Sequence, residues 1–268
     1  MKIYSYNFED IQKAFEKINL KKSDTVYVSG NLALFGNCKI ENIKELPNLF
    51  FKALIKKIGK RGTVVFPTHS FSLIKSKEIF SPLNSVSESG SFSNYLLKKK
   101  KMFRQMHPYA SVAAIGEKAK FICSNNPLHV YGPFSPFDKM ISLKSKFISL
   151  GLNINLNCTQ VHHAEFMMNV PYRYTKEFIQ KIKSGNSIKS KKFYMFLLYK
   201  KYLNMRRDKN KIIIKNFKKK NKVFKTNLGN SSIYSYDLRD FYEENIKLLK
   251  KNIYCWFGQE PKYKTFIK

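Results

Sequence analysis

The sequence predicts an α/β protein, an α/β/α sandwich around a mixed sheet with a basic helical segment capping it. The first observation behind this is the alternation of helix-period and strand-period apolar patterns from residue 7 onward. The second is size: 268 residues, 43% of them hydrophobic, suffice for a sizeable core and exclude a disordered chain. The third is an absence. No Gly-x-Gly-x-x-Gly run follows a strand, so a dinucleotide site of the Rossmann kind is not expected. The expectation is one domain over residues 1–268.

Taken in order, Asn7 caps a helix to Ile18, with Ile11, Ala14, Phe15 and Ile18 on one stripe. Thr25 to Ser29 is a strand bounded by Asp24 and Gly30. Pro47 to Ile58 is a helix with proline in its first turn, Gly59 at its end, and Phe50, Phe51, Leu54, Ile55 and Ile58 on its buried face. Gly62 to Phe66 is the second strand, and Pro67 is expected to stop it. Residues 69–100 are polar and serine-rich, with a short helix near Ser91 to Leu97. Pro127, Gly132, Pro133 and Pro136 punctuate a rigid loop carrying Ser135 and Asp138. Lys146 to Leu150 is a strand ending in the Gly151 turn. Residues 176–225 mix Phe193, Tyr194, Phe196, Leu197 and Tyr199 with lysines and read as a helical cap. The tail from Ser232 returns through a strand and a helix from Leu238 to Lys250.

Charge and cysteine usage bound the partners. Lys and Arg number 50 against 18 Asp and Glu, a formal net charge of +32. Residues 176–225 hold 18 of the basic residues against Glu177 and Asp208, which suits an anionic ligand; an AT-rich genome would enrich lysine as well. Nucleic acid is the weaker reading of that charge. Lys98 to Lys101 form a run that either meets phosphates or lies on a solvated face. Cys38, Cys123, Cys158 and Cys255 are scattered, so reduced thiols, no metal and a cytoplasmic location are expected. Met1 to Asn7 lacks a basic-then-apolar leader, and no apolar stretch reaches the ~20 residues that span a bilayer. A homodimer is left open.

The chemistry-bearing stretch is Asn157-Cys158-Thr159-Gln160-Val161-His162-His163-Ala164-Glu165. If Thr159 caps a helix, Thr159, His162 and Glu165 follow at i, i+3, i+6, and each consecutive pair can share a face. A hydroxyl, an imidazole and a carboxylate so placed can deprotonate a nucleophile: His162 takes the proton, and Glu165 orients the ring and stabilises its cation. The same spacing also suits an ordinary helix-surface ion pair. His163 belongs to another face, in a supporting or solvent-facing position. Cys158 reads as a small buried residue.

Three further segments accompany this one: Ser23-Asp24-Thr25-Val26-Tyr27-Val28-Ser29-Gly30-Asn31-Leu32, Gly62-Thr63-Val64-Val65-Phe66-Pro67-Thr68, and Arg104-Gln105-Met106-His107-Pro108-Tyr109-Ala110-Ser111. In this order and spacing they resemble the aminoglycoside 3-N-acetyltransferase family, over about residues 20–175 with a weaker echo near Asp237 to Gly258. That family shows a strand ending in Val-His-Ser-Ser-Leu, a Gly-Thr strand ending in Pro-Thr, an Arg-Ser-x-His-Pro loop and a Thr-x-x-His-x-Ala-Glu site. The chain departs from it at Ser29-Gly30-Asn31 and at Gln105. The resemblance implies direct acetyl transfer from acetyl-CoA to an amine, with His162 as base, Glu165 orienting it and Thr159 donating to the oxyanion. It also implies that Ser29, Gly30, Asn31, Arg104, His107 and Ser111 surround the pantetheine and phosphates. On its own position before a proline, His107 suits a backbone-holding role.

The acceptor is read from charge. Aminoglycosides are polycations that call for carboxylates, whereas the segment 176–225 is basic, so an amino sugar on a nucleotide or an anionic glycan is expected. Tyr172 and Arg173 would then stack on a sugar or base and pair with a phosphate, unless they only pack the cap. This implies a role in polysaccharide biosynthesis. The alternatives are an aminoglycoside 3-N-acetyltransferase proper, or a non-catalytic protein binding anions or nucleic acid.

Overall fold

Asn7 opens the first helix, α1 (Phe8–Glu16), with a capping box: its side chain accepts from the Asp10 N–H at 3.0 Å, and the Asp10 carboxylate accepts from the Asn7 N–H at 2.9 Å. This is a computed structural model that describes residues 5–76, 78–155, 159–205 and 211–257. Next come β1 (Thr25–Gly30), α2 (Leu46–Ile58), β2 (Thr63–His69) and the short helices α3 (Leu73–Ser76) and α4 (Ser91–Leu97). A hairpin of β3 (Met102–Arg104) and β4 (Ala110–Gly116) precedes α5 (Ala119–Cys123), α6 (Pro136–Ser142), β5 (Lys146–Leu150) and α7 (Val161–Met167). The rest comprises β6 (Arg173–Ser184), β7 (Ser187–Leu198), α8 (Lys211–Lys219), β8 (Phe224–Leu228), β9 (Ser231–Asp237) and α9 (Leu238–Lys251).

Seven strands form one mixed sheet in the order β3-β4-β2-β1-β5-β9-β8. β1 runs parallel to β2 and β5, while β4 and β9 lie antiparallel outside them. Side chains of one strand alternate between two cores. Val26 and Val28 pack with Phe15, Phe50 and Leu54 of α1 and α2, whereas Tyr27 packs with Ile122, Phe137 and Met140 of α5 and α6. Helical layers on both faces make the α/β/α sandwich. The chain reaches β2 over one face and β5 over the other, so β1 is the point where the strand order reverses. In open α/β sheets, ligands bind outside the carboxyl ends of the strands at such a point.

Two sequence readings are corrected. Pro67 does not stop β2: the β1 ladder ends at Val65, and from there β2 pairs only with β4, as far as His69. A strand open on one side tolerates the missing N–H. The helical cap is also wrong for most of its length. β6 and β7 are twelve-residue antiparallel strands joined by a tight turn at Gly185 and Asn186. Buried Gln180, Ile182, Phe193 and Met195 follow the two-residue period of a strand, and Gly185 takes φ +59. Among the described residues, only α8 and a 3₁₀ turn at Lys200–Tyr202 bear out the helical reading. No helix among the described residues is long and apolar enough to cross a membrane.

Candidate active site

The strand β5 feeds the site. Its Leu150 pairs with Gly30 at the carboxyl end of β1, and residues 151–160 lead from there to α7. Thr159 is not the cap of this helix: Gln160 holds that position, and Thr159, in the preceding turn, accepts the His162 N–H on its carbonyl at 3.2 Å. Asn157 and Cys158 lie outside the described residues.

On α7 the predicted pair is formed. His162 Nδ1 lies 2.6 Å from Glu165 Oε2, with the histidine side chain 26% exposed and the glutamate 3%. A buried carboxylate against Nδ1 fixes the tautomer, so Nδ1–H donates to Glu165 and the basic lone pair lies on Nε2. Glu165 is further held by the Tyr172 hydroxyl, donating to Oε1 at 3.0 Å, and by Arg173 Nε, 2.8 Å from Oε2. Burial alone would raise the Glu165 carboxyl; His162, Arg173 and Tyr172 outweigh it and hold it below its usual range.

Tyr172 and Arg173 are therefore not a sugar-stacking surface. Tyr172 is buried and Arg173 has a side chain 6% exposed, and both are turned to Glu165. Burial is also the main cause of the Tyr172 hydroxyl being raised well above its ordinary value, so it remains a donor.

The residues expected around the coenzyme separate into two groups. Gly30 and Asn31 sit at the switch point and, with Leu32, Glu88, Ser89, Gly90, Ser91 and Phe92, line a cavity of about 350 Å³. Ser29 stands beside them, half-buried in the β1 ladder opposite Ser149. Gly30 takes φ +154, and a Cβ there would lie 2.0 Å from the Leu150 carbonyl oxygen, so the sheet itself demands glycine. Arg104, His107 and Ser111, by contrast, point inward. Arg104 donates to the carbonyls of Ser85 at 2.5 Å and Thr68 at 2.9 Å, and to Ser70 Oγ at 3.3 Å. Ser111 is fully buried and donates to the Thr68 carbonyl at 2.9 Å. His107 Nδ1 accepts the N–H groups of Tyr109 and Ala110 at 3.3 and 3.4 Å, and burial pushes its imidazole down to about 3. All three fasten backbone, because each is surrounded by main-chain groups that need partners.

One wall of the site was not visible in the sequence. The ring of Tyr131 stands edge-on to His162, 6.0 Å between centroids. Its loop is pinned twice: His129 Nδ1 accepts the Tyr131 N–H at 3.2 Å, and buried His163 accepts the Gly132 N–H at 3.4 Å. His163 is thus supporting and not solvent-facing. Punctuation by Gly132 and Pro133 marked this loop, but nothing in it indicated which helix it would meet.

Comparison with known proteins closes the assignment. The profile of the family described as aminoglycoside 3-N-acetyltransferase matches residues 38–250. Aminoglycoside N(3)-acetyltransferase IV from Salmonella is 29% identical over 135 residues, 50% of this chain and 50% of that protein. The chain thus spans about half the length of that relative. Among solved structures, aminoglycoside acetyltransferase AAC(3)-Xa has a TM-score of 0.78 at 18% identity, covering 92% of this chain and 93% of its own. AAC-IIIb, solved as a binary complex with CoASH, has a TM-score of 0.77 at 18% identity over 96% of this chain and 100% of its own. At such identities the likeness is one of fold. The profile covers most of the sequence, and the chain belongs to the aminoglycoside 3-N-acetyltransferase family.

Proposed function

We propose that this protein is an acetyl-CoA-dependent N-acetyltransferase that acetylates an amine of an amino sugar of the aminoglycoside kind by direct transfer. The observation that carries it is the buried Glu165 aligned on the Nδ1 of a partly exposed His162. His162 Nε2 takes a proton from the acceptor ammonium, and the freed amine nitrogen attacks the thioester carbonyl carbon. The tetrahedral intermediate gives up the second proton of its nitrogen to solvent and collapses by breaking the C–S bond, and the leaving thiolate recovers the first proton from the imidazolium. Glu165, held by Tyr172 and Arg173, stabilises that cation between the two steps. Thr159, three residues before His162, is the proposed donor to the oxyanion.

For the acetyl donor, a groove of about 730 Å³ runs beside the Gly30–Asn31 cavity and shares Leu32 and Ser91 with it. Its lining combines apolar Ile43, Pro47 and Tyr95 with Lys44 and Lys98, a surface suited to a pantetheine arm followed by phosphates. Lys98 opens the lysine run, while Lys99 stacks over the Tyr95 ring at 4.4 Å.

Family membership favours an aminoglycoside-type acceptor over the nucleotide-linked sugar expected from charge. A second reading keeps the anionic acceptor, because exposed Lys181, Lys183, Lys189 and Lys191 crowd the outer part of the β6–β7 hairpin. Thiol release from acetyl-CoA, measured with kanamycin, gentamicin, free glucosamine and a nucleotide-linked amino sugar, separates them. The first reading expects turnover with the polyamines; turnover with the nucleotide-linked sugar alone reverses the choice, and no CoA binding by calorimetry defeats both.

A further inference from the structure

A buried carboxylate beside a general base carries a hazard. Glu165 has a side chain 3% exposed, and its Oε2 lies 2.6 Å from His162 Nδ1. A lone negative charge so deep draws a proton onto the imidazole, and an imidazolium cannot act as a base. Something at the site must keep His162 neutral between turnovers.

Arg173 is placed to do so. Its Nε lies 2.8 Å from Oε2, the same oxygen that meets His162. The Nε–H finds no acceptor at a hydrogen-bonding angle, so the contact works through charge and not through a shared proton. The guanidinium is seated from β7, its Cζ 5.6 Å from the Phe196 ring centroid, and Phe196 stands edge-on to Phe166 of α7 at 5.3 Å. The backbone is fixed as well, with Arg173 paired to Leu198 at the base of the β6–β7 hairpin.

Tyrosines and a thiol complete the surroundings. Tyr172 donates its hydroxyl to Oε1, Tyr131 presents a ring edge to His162, and Cys255 lies beside Tyr172. Asp138 of α6 and Tyr242 of α9 bear on the neighbouring His163. Among the described residues, His162 and Arg173 alone form ion pairs with Glu165. With Arg173 present the group is neutral while the imidazole is unprotonated, and proton uptake leaves it positive. Without Arg173 the group starts negative, and proton uptake neutralises it, which favours the protonated ring.

We infer that Arg173 is a positioning residue of the reaction: its charge offsets that of Glu165, so His162 rests as the neutral imidazole that can take the acceptor's proton. This rests on the acetyltransferase reading and gives the β6–β7 hairpin a part in the chemistry through its first residue.

The pH dependence of kcat/KM for kanamycin, at saturating acetyl-CoA, tests it in wild type, Arg173→Met and Arg173→Lys. The kanamycin amines titrate alike in all three, so any difference belongs to the enzyme. Arg173→Met removes a repulsion on the imidazolium, and its acid limb should move about one pH unit to the alkaline side. Its loss of rate near pH 7 should largely disappear by about pH 9, and Arg173→Lys, which keeps the charge, should shift less. A folded Arg173→Met that loses rate equally at every pH, with its limb unmoved, overturns the inference, as does an equal shift in Arg173→Lys. Nitrogen-15 shifts of the His162 ring, assigned by their loss in His162→Asn, read the same proton in the wild type without turnover. The ring should be neutral near pH 7; a cationic ring there overturns the inference even if neither Arg173 variant folds. A wild type that acetylates no acceptor defeats the acetyltransferase reading, and the ring titration in wild type and Arg173→Lys still decides whether Arg173 keeps His162 neutral.

Discussion

Arg104 shows how little a residue type alone says about its direction. An arginine before His-Pro looks like a phosphate ligand, yet its guanidinium is spent on Ser85, Thr68 and Ser70 and lies 4.9 Å from the Phe80 ring centroid. Burial lowers it to about 10, so it remains a cation at neutral pH. Arg104→Ala should cost about 2–4 kcal/mol, because it leaves buried carbonyls without donors. Denaturant unfolding measures that loss, and the acetyl-CoA KM of the folded variant should stay near wild type. A large rise in that KM at unchanged stability would restore the coenzyme role. His162 and Glu165 were legible because one helical turn sets their contact locally. Tyr172 and Arg173 were not, since their inward turn depends on where β6 leaves α7.

At the scale of elements, the regular pieces read well where the pattern was strict. Asn7 and Asp10 announce α1, and Val26, Tyr27 and Val28 alternate as a strand with a core on each face. Residues 173–198 did not, because aromatics among lysines satisfy a helical stripe about as well as a strand period. Gly185-Asn186 was the signal that decides for a hairpin, through a glycine that reaches positive φ without strain. The hairpin's partners are also distant in sequence. Phe80 exchanges backbone hydrogen bonds with Lys181 and Lys183 at 2.9 and 2.8 Å, and Tyr194 donates to the Leu128 carbonyl at 2.9 Å. Local periodicity cannot report such contacts, and the same limit hid Tyr131 from the site.

Across the whole molecule, buried histidines tie stability to pH. Burial lowers His107 to about 3 and His163 to about 4, against 6.5 for the free side chain. The unfolded chain therefore binds more protons than the fold between about pH 6.5 and pH 4. The stabilisation is complete above that window and is lost as pH falls through it, at up to about 1.4 kcal/mol per pH unit for each group. Glu165, also depressed, adds a loss at still lower pH. Melting temperature should fall steadily from pH 7 to pH 4, with a shallower slope in His163→Gln; a flat profile over that range would contradict the account. Net charge alone does not decide the acceptor, because a total says nothing about which charges line a cavity. The central claim is that one imidazole drives the transfer, and the direct measurement is kcat for acetyl-CoA-dependent acetylation of kanamycin by wild type and His162→Ala. The account predicts a loss of ~10²–10⁴-fold in a variant that still folds and binds CoA as wild type does. Near-wild-type turnover by His162→Ala would contradict it.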